Sequence, residues 1–121
     1  MKILIVDDSA FMRTMIKNVL KDGNHEIFEA GNFDEAVKAF KENKPALIFL
    51  DVIMPGKNGV ETLKEIKNID KEAHVVMCTS IGGQQKIIDE SVSAGADDFI
   101  IKPFKAEDIQ KVVNNIANPA K

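Results

Sequence analysis

Hydrophobic positions along this chain fall into two alternating patterns. Short unbroken runs, at residues 3–6, 46–50, 75–78 and 99–101, are rich in β-branched and aromatic residues and too short to stand as free helices. They predict strands buried on both faces. Between them, apolar residues recur at helical spacing: Met12, Met15, Ile16, Val19 and Leu20, then Phe33, Ala36, Val37 and Phe40, then Val60, Leu63, Ile66 and Ile69, and finally Ile109, Val112, Val113 and Ile116. A further helix is placed at about Gln84 to Ala94. Residues 26–30 carry Glu26 and Glu29 within a strand-like stretch, which suits a sheet edge.

Local punctuation agrees with these boundaries. Asn32 with Glu35 three residues on resembles a capping box, Gly23 is placed to end the first helix, and Pro45 and Pro55 forbid helix where loops are needed. The result is five repeats of strand then helix. Parallel strands need helix-length crossovers, so the alternation predicts an α/β fold with a parallel sheet and helices on both faces. No linker, repeat or second composition regime interrupts it, and only four residues follow the last helix. A single domain over residues 1–121 without an output domain is the expectation.

Composition narrows the function classes. With 121 residues, the chain can bury a single core without staples. A net charge of -3 gives no sign of a nucleic-acid partner, and no apolar run reaches the length of a membrane span. The N-terminus lacks a secretion signal, so a cytoplasmic protein is expected. Cys78 is the single cysteine, which excludes an internal disulfide, and its apolar neighbours predict a buried, inert thiol. His25 and His74 lie far apart and read as surface or strand-end residues.

Candidate chemistry gathers where the apolar runs end. In an open parallel sheet, side chains that work together sit at the carboxyl ends of the central strands. Asp7 and Asp8 end the first run, Asp51 the third strand, Thr79 with Ser80 the fourth, and Lys102 the fifth. Three carboxylates so close repel one another unless a cation sits among them, and hard oxygen ligands favour Mg²⁺. With Lys102 and Thr79 added, the cluster would receive a phosphoryl group, with Asp51 attacking in line. Taken singly, each residue also fits a helix cap, a strand end or a solvated charge.

These pieces resemble the response-regulator receiver domains. Val6-Asp7-Asp8, Leu50-Asp51-Val52-Ile53-Met54-Pro55 with Asn58-Gly59, Thr79-Ser80, Ala94-Gly95-Ala96 and Lys102-Pro103-Phe104 match the family in order and spacing over nearly the whole chain. The stretch Asp8-Ser9-Ala10-Phe11-Met12-Arg13 is similar to the chemotaxis branch, which also includes the receiver of a methylesterase. The missing esterase domain favours a free-standing regulator. The resemblance implies a flavodoxin-like, doubly wound (βα)5 sheet of five parallel strands in the order 2-1-3-4-5. It implies that Asp51 is the phosphoacceptor, that Asp7, Asp8, Asp51 and the Ile53 carbonyl surround Mg²⁺, and that Lys102 contacts the phosphoryl group. Thr79 and Phe99 would be the switch pair that remodels the face of the fourth helix, fifth strand and fifth helix, and the bond before Pro103 would be cis. The implied partners are a histidine kinase, a motility motor or adaptor protein, and a phosphatase, and a monomer is expected.

Some positions depart from many receivers. Ile53 and Ile81 stand where polar side chains often help hold an attacking water, so slow intrinsic loss of phosphate is expected, although the same isoleucines would equally serve as a cover. Gly82-Gly83 lacks the spacing of a phosphate loop and reads as a pliant or ordinary turn. Other classes remain: a phosphorelay intermediate, a Mg²⁺-dependent aspartyl-phosphate hydrolase, a flavodoxin-like cofactor binder, and a degenerate receiver. Ile53 lies where the hydrolase would need a second acid, the absence of Trp and Tyr argues against the cofactor binder, and the complete acidic set argues against degeneracy.

Overall fold

Every apolar run becomes a strand, and every helical stripe becomes a helix. The computed structural model describes residues 1–52, 59–80 and 85–117. In chain order these form β1 (Lys2–Val6), α1 (Ala10–Leu20), β2 (Glu26–Ala30), α2 (Phe33–Asn43), β3 (Leu47–Asp51), α3 (Gly59–Ile69), β4 (His74–Ser80), α4 (Gln85–Ser93), β5 (Asp98–Lys102) and α5 (Ala106–Ala117). All neighbouring strands pair in parallel, in the order β2-β1-β3-β4-β5. The charged strand is an edge, as its glutamates require.

Because side chains alternate across a strand, the two faces of the sheet build two separate cores. Leu4, Val6, Ile48, Leu50, Val75 and Met77 pack with Ala36, Phe40, Leu63 and Ile66, under α2 and α3. Ile3, Ile5, Leu47, Phe49, Val76 and Cys78 pack on the other side with Ile16, Leu20, Ile109, Val112 and Val113, under α1 and α5. Burying each such side chain contributes roughly 1.5–3 kcal/mol. β1, β3 and most of β4 are therefore oily on both faces.

β5 corrects the sequence expectation. It is paired on one side only, and on the face shared by Phe99 and Ile101 the cover runs out along the strand: Phe99 is half-buried against the core and Ile101 is 57% exposed. Only Ile100 of the run is buried. Met15 and Ile69 also lie outside the core, each 39% exposed, because they fall at the margin or end of their stripes.

Local boundaries follow the capping chemistry. The Asn32 side chain accepts the Glu35 N–H at 2.8 Å, while Glu35 turns back to accept the Gly31 N–H at 2.7 Å, one residue earlier than a reciprocal box requires. α1 stops before Gly23, whose N–H donates to the Leu20 carbonyl at 3.0 Å, and the left-handed residue of this turn is Asn24, with φ 62°. The Lys102–Pro103 bond is cis. The expected start of the fourth helix at Gln84 falls outside the described residues, and the helix is observed from Gln85.

Candidate functional site

β1 and β3 lie side by side at the centre of the sheet, so their last residues emerge together. The chain turns out of β1 at Asp7, whose Oδ1 accepts the Ser9 N–H at 2.9 Å, and Ser9 in turn caps α1 by accepting the Met12 N–H. Asp7 is buried, Asp8 beside it is exposed, and Asp51 at the end of β3 is nearly buried. Ligand atoms of Asp7, Asp8 and Asp51 lie within 4.8 Å of one another, the single group of this kind among the described residues. The sequence placed all three at one point, and the structure brings them there.

Lys102 reaches the cluster from β5. Its Nζ stands 3.3 Å from Asp7 Oδ2 and 3.3 Å from Asp51 Oδ1. Both distances are long for charge-assisted bonds, which settle nearer 2.7–2.9 Å. One ammonium is shared between two carboxylates and committed to neither. Burial alone would lower the Lys102 pKa, but the charges of Asp51 and Asp7 outweigh it and hold the group above its ordinary value. The ammonium is therefore charged at neutral pH. Among the described residues its single charge stands against three carboxylates, and an all-oxygen donor set of this kind could hold a hard divalent cation.

Thr79 is buried at the end of β4. Phe99 pairs in register with Met77, two residues before Thr79, so Thr79 and Phe99 face the same side of the sheet. Phe99 packs half-buried against the core under α2 and α3. Ile53, Ile81 and the glycines 82–83, together with Met54, Pro55 and Asn58, lie outside the described residues. Cys78 is buried, and burial, chiefly, pushes its thiol up to about 12, as an inert core residue requires. His25 sits with its Nδ1 3.2 Å from the Met1 amino group, and both burial and that charge lower its pKa.

Three supporting residues were not legible as such. Arg13 donates from Nη1 to the Asp7 carbonyl at 2.6 Å and from Nε to Glu29 at 3.0 Å. Glu29 also accepts from Lys17 at 3.0 Å, and that bond, with the bond from Arg13, holds its carboxyl below the usual value despite partial burial. Gly59 opens α3 against the end of β3: a Cβ there would overlap the Asp51 carbonyl oxygen, so the helix can approach only without a side chain. Proximity of Asn58-Gly59 to the acid run in the sequence was the one available hint.

Residues 3–114 match the family model described as the response regulator receiver domain. The chain belongs to the response-regulator receiver family. Among its relatives, the chemotaxis protein CheY of Bacillus subtilis is 47% identical over 97% of this chain and 98% of that protein. CheY of Thermotoga maritima is 41% identical over 96% of this chain and 97% of that protein. A two-component response regulator from Clostridium difficile superposes with a TM-score of 0.91 at 30% identity, covering 99% of this chain and 98% of the other. This receiver is of the chemotaxis response-regulator type, a signalling protein and not a classical enzyme. Its acidic triad is typical of receiver metal sites, and a kinase partner is implied by the two-component class. No helix among the described residues is long and apolar enough to cross a membrane.

Proposed function

We propose that this receiver takes a phosphoryl group onto Asp51 from the phosphohistidine of a histidine kinase or from a small phosphodonor. The observation that carries the reading is the shared lysine: Lys102 lies 3.3 Å from Asp7 and from Asp51, with Asp8 adding a further charge to the cluster. Asp7, Asp8, Asp51 and the Ile53 carbonyl would hold Mg²⁺. When bound, the ion supplies positive charge to the oxygens of the transferring group.

The chain's own residues then divide the work. An Asp51 carboxylate oxygen attacks phosphorus in line, the O–P bond forms as the donor's N–P or O–P bond breaks, and the donor leaves with the electron pair. Lys102 is free to turn from the carboxylates to a phosphoryl oxygen, where its charge offsets the developing negative charge. The Thr79 hydroxyl donates to a second oxygen. Because Phe99 shares its sheet face and is only half-buried, movement of Thr79 would open room for the ring to turn inward. The new dianion thus biases two states of the α4, β5 and α5 face, which a motility motor or adaptor protein would read. The protein would act as a cytoplasmic monomer, with a partner phosphatase ending the signal.

Incubation with acetyl phosphate and Mg²⁺ followed by intact-mass measurement tests this reading. A Mg²⁺-dependent adduct is expected on the wild type and none on Asp51→Asn. An undiminished adduct on that variant would overturn the assignment. A phosphorelay intermediate would use the same residues, and it would pass the group on to a second histidine instead of binding a state-selective partner.

A further inference from the structure

We propose that Arg13 is a positioning residue for the cation site, acting through the peptide that joins Asp7 to Asp8; this rests on the reading that those carboxylates hold Mg²⁺. The carbonyl oxygen that Arg13 Nη1 contacts at 2.6 Å belongs to that peptide. The Asp7 N–H donates to the Ala30 carbonyl at 3.0 Å, and its side chain is held by the Ser9 N–H at 2.9 Å. Asp7 is thus fixed on both sides. Asp8, by contrast, is exposed, and its direction depends on the plane of the peptide before it.

The guanidinium is itself held. Its Nε donates to Glu29 Oε1 at 3.0 Å, and Lys17 holds the other oxygen of Glu29 at 3.0 Å. The side chain of Arg13 is only 19% exposed. A Cβ added at Gly31 would come 3.5 Å from Arg13 Nη1 and 3.4 Å from Glu35 Oε1, ordinary contact distances, so the guanidinium lies directly beside the residue that follows β2. A planar, two-point donor anchored in this way sets the angle of the carbonyl, which a single ammonium cannot do. Groups behind the ligands commonly fix ligand direction in metal sites.

The sign of the effect separates positioning from charge. Arg13 is a cation near a cation site, so its charge alone opposes Mg²⁺, and removing it would tighten binding. Positioning gives the opposite sign. Calorimetric titration of the full chain with Mg²⁺ is expected to show about tenfold weaker binding in Arg13→Ala, the lower range for loss of such a support. Saturating Mg²⁺ should then restore its rate of phosphorylation by acetyl phosphate.

Unchanged or tighter binding in folded Arg13→Ala, with only a lowered melting temperature, would overturn the proposal and leave Arg13 a purely structural residue. Should that variant not fold, Arg13→Lys keeps the charge and loses the fork. It is expected to weaken binding in the same direction, and wild-type affinity in it would overturn the proposal. A wild type that binds no Mg²⁺ would overturn the cation reading itself, and this inference with it.

Discussion

Lys67 and Lys102 each tie carboxylates to an end of the sheet, but at opposite ends and with opposite balances of charge. At the amino ends of β4 and β5, Lys67 bonds Asp97 at 2.9 Å and also the Ala73 carbonyl, while Asp97 accepts the Val75 N–H at 2.8 Å. One ammonium meets one carboxylate, and the network closes on the main chain. At the carboxyl ends, Lys102 faces Asp7 and Asp51 at 3.3 Å each, with Asp8 in excess. The first arrangement is complete by itself, which makes it a staple. The second, among the described residues, sets one ammonium against three carboxylates, which suits the proposed receptor. The proposed phosphoryl transfer calls for the second kind, at the point where a cation and a dianion would arrive.

The comparison can be broken most severely at Lys102. Lys102→Met is expected to slow phosphorylation by acetyl phosphate about 100-fold, the loss typical when one group stabilising developing charge is removed. Rates from intact-mass time courses would check it, and a change of less than a few-fold would show that Lys102 is a staple too. Lys67→Met should do the reverse. It should lower stability by about 1–2 kcal/mol, because a bond to a charged partner is lost, and leave the phosphorylation rate unchanged. Urea unfolding together with the same time course separates the two effects.

Asp8→Asn sharpens the comparison from the other side. Removing one carboxylate charge should raise stability in EDTA by about 0.5–1 kcal/mol, as expected where function keeps a site from its stability optimum, and should abolish the rise in melting temperature expected of the wild type with Mg²⁺. A lower stability in EDTA would mean that Asp8 already has a satisfied partner. The smallest effect is expected at Glu29, whose carboxyl Lys17 and Arg13 hold below its ordinary 4.5. A lowered carboxylate pKa adds stability that is complete above the unfolded value and is lost as pH falls towards the folded one. Glu29→Gln should therefore lower stability by a small, constant amount above 4.5 and make no difference well below the folded value, so that its acid limb in thermal melts is flatter than that of the wild type.

What the sequence disclosed follows the range of the interactions. Ile3 to Val6 and residues 47–50 are readable as central strands because their character is local and unbroken. The gathering of Asp7, Asp8, Asp51 and Lys102 was readable because the rule of strand ends turns linear positions into a common place. Ile101 was misjudged because an apolar run looks the same at an edge as in the centre; only the pairing of β5 on one side exposes it. Arg13 was seen as part of a motif but not as a support. Its partners are a carbonyl six residues back and a carboxylate sixteen residues on, and no periodic pattern encodes such contacts. The Lys67–Asp97 staple, thirty residues apart, was invisible for the same reason.

Gly59 carries a consequence for how such a molecule tolerates change. It supplies no charge, no ligand atom and no proton, yet any side chain there would press on the carbonyl of Asp51. In a library of all single substitutions selected for signalling, position 59 would be emptied as thoroughly as position 51. A spacer would thus leave the same mutational fingerprint as the proposed nucleophile, and only folding yield, lost at one position and kept at the other, would tell them apart.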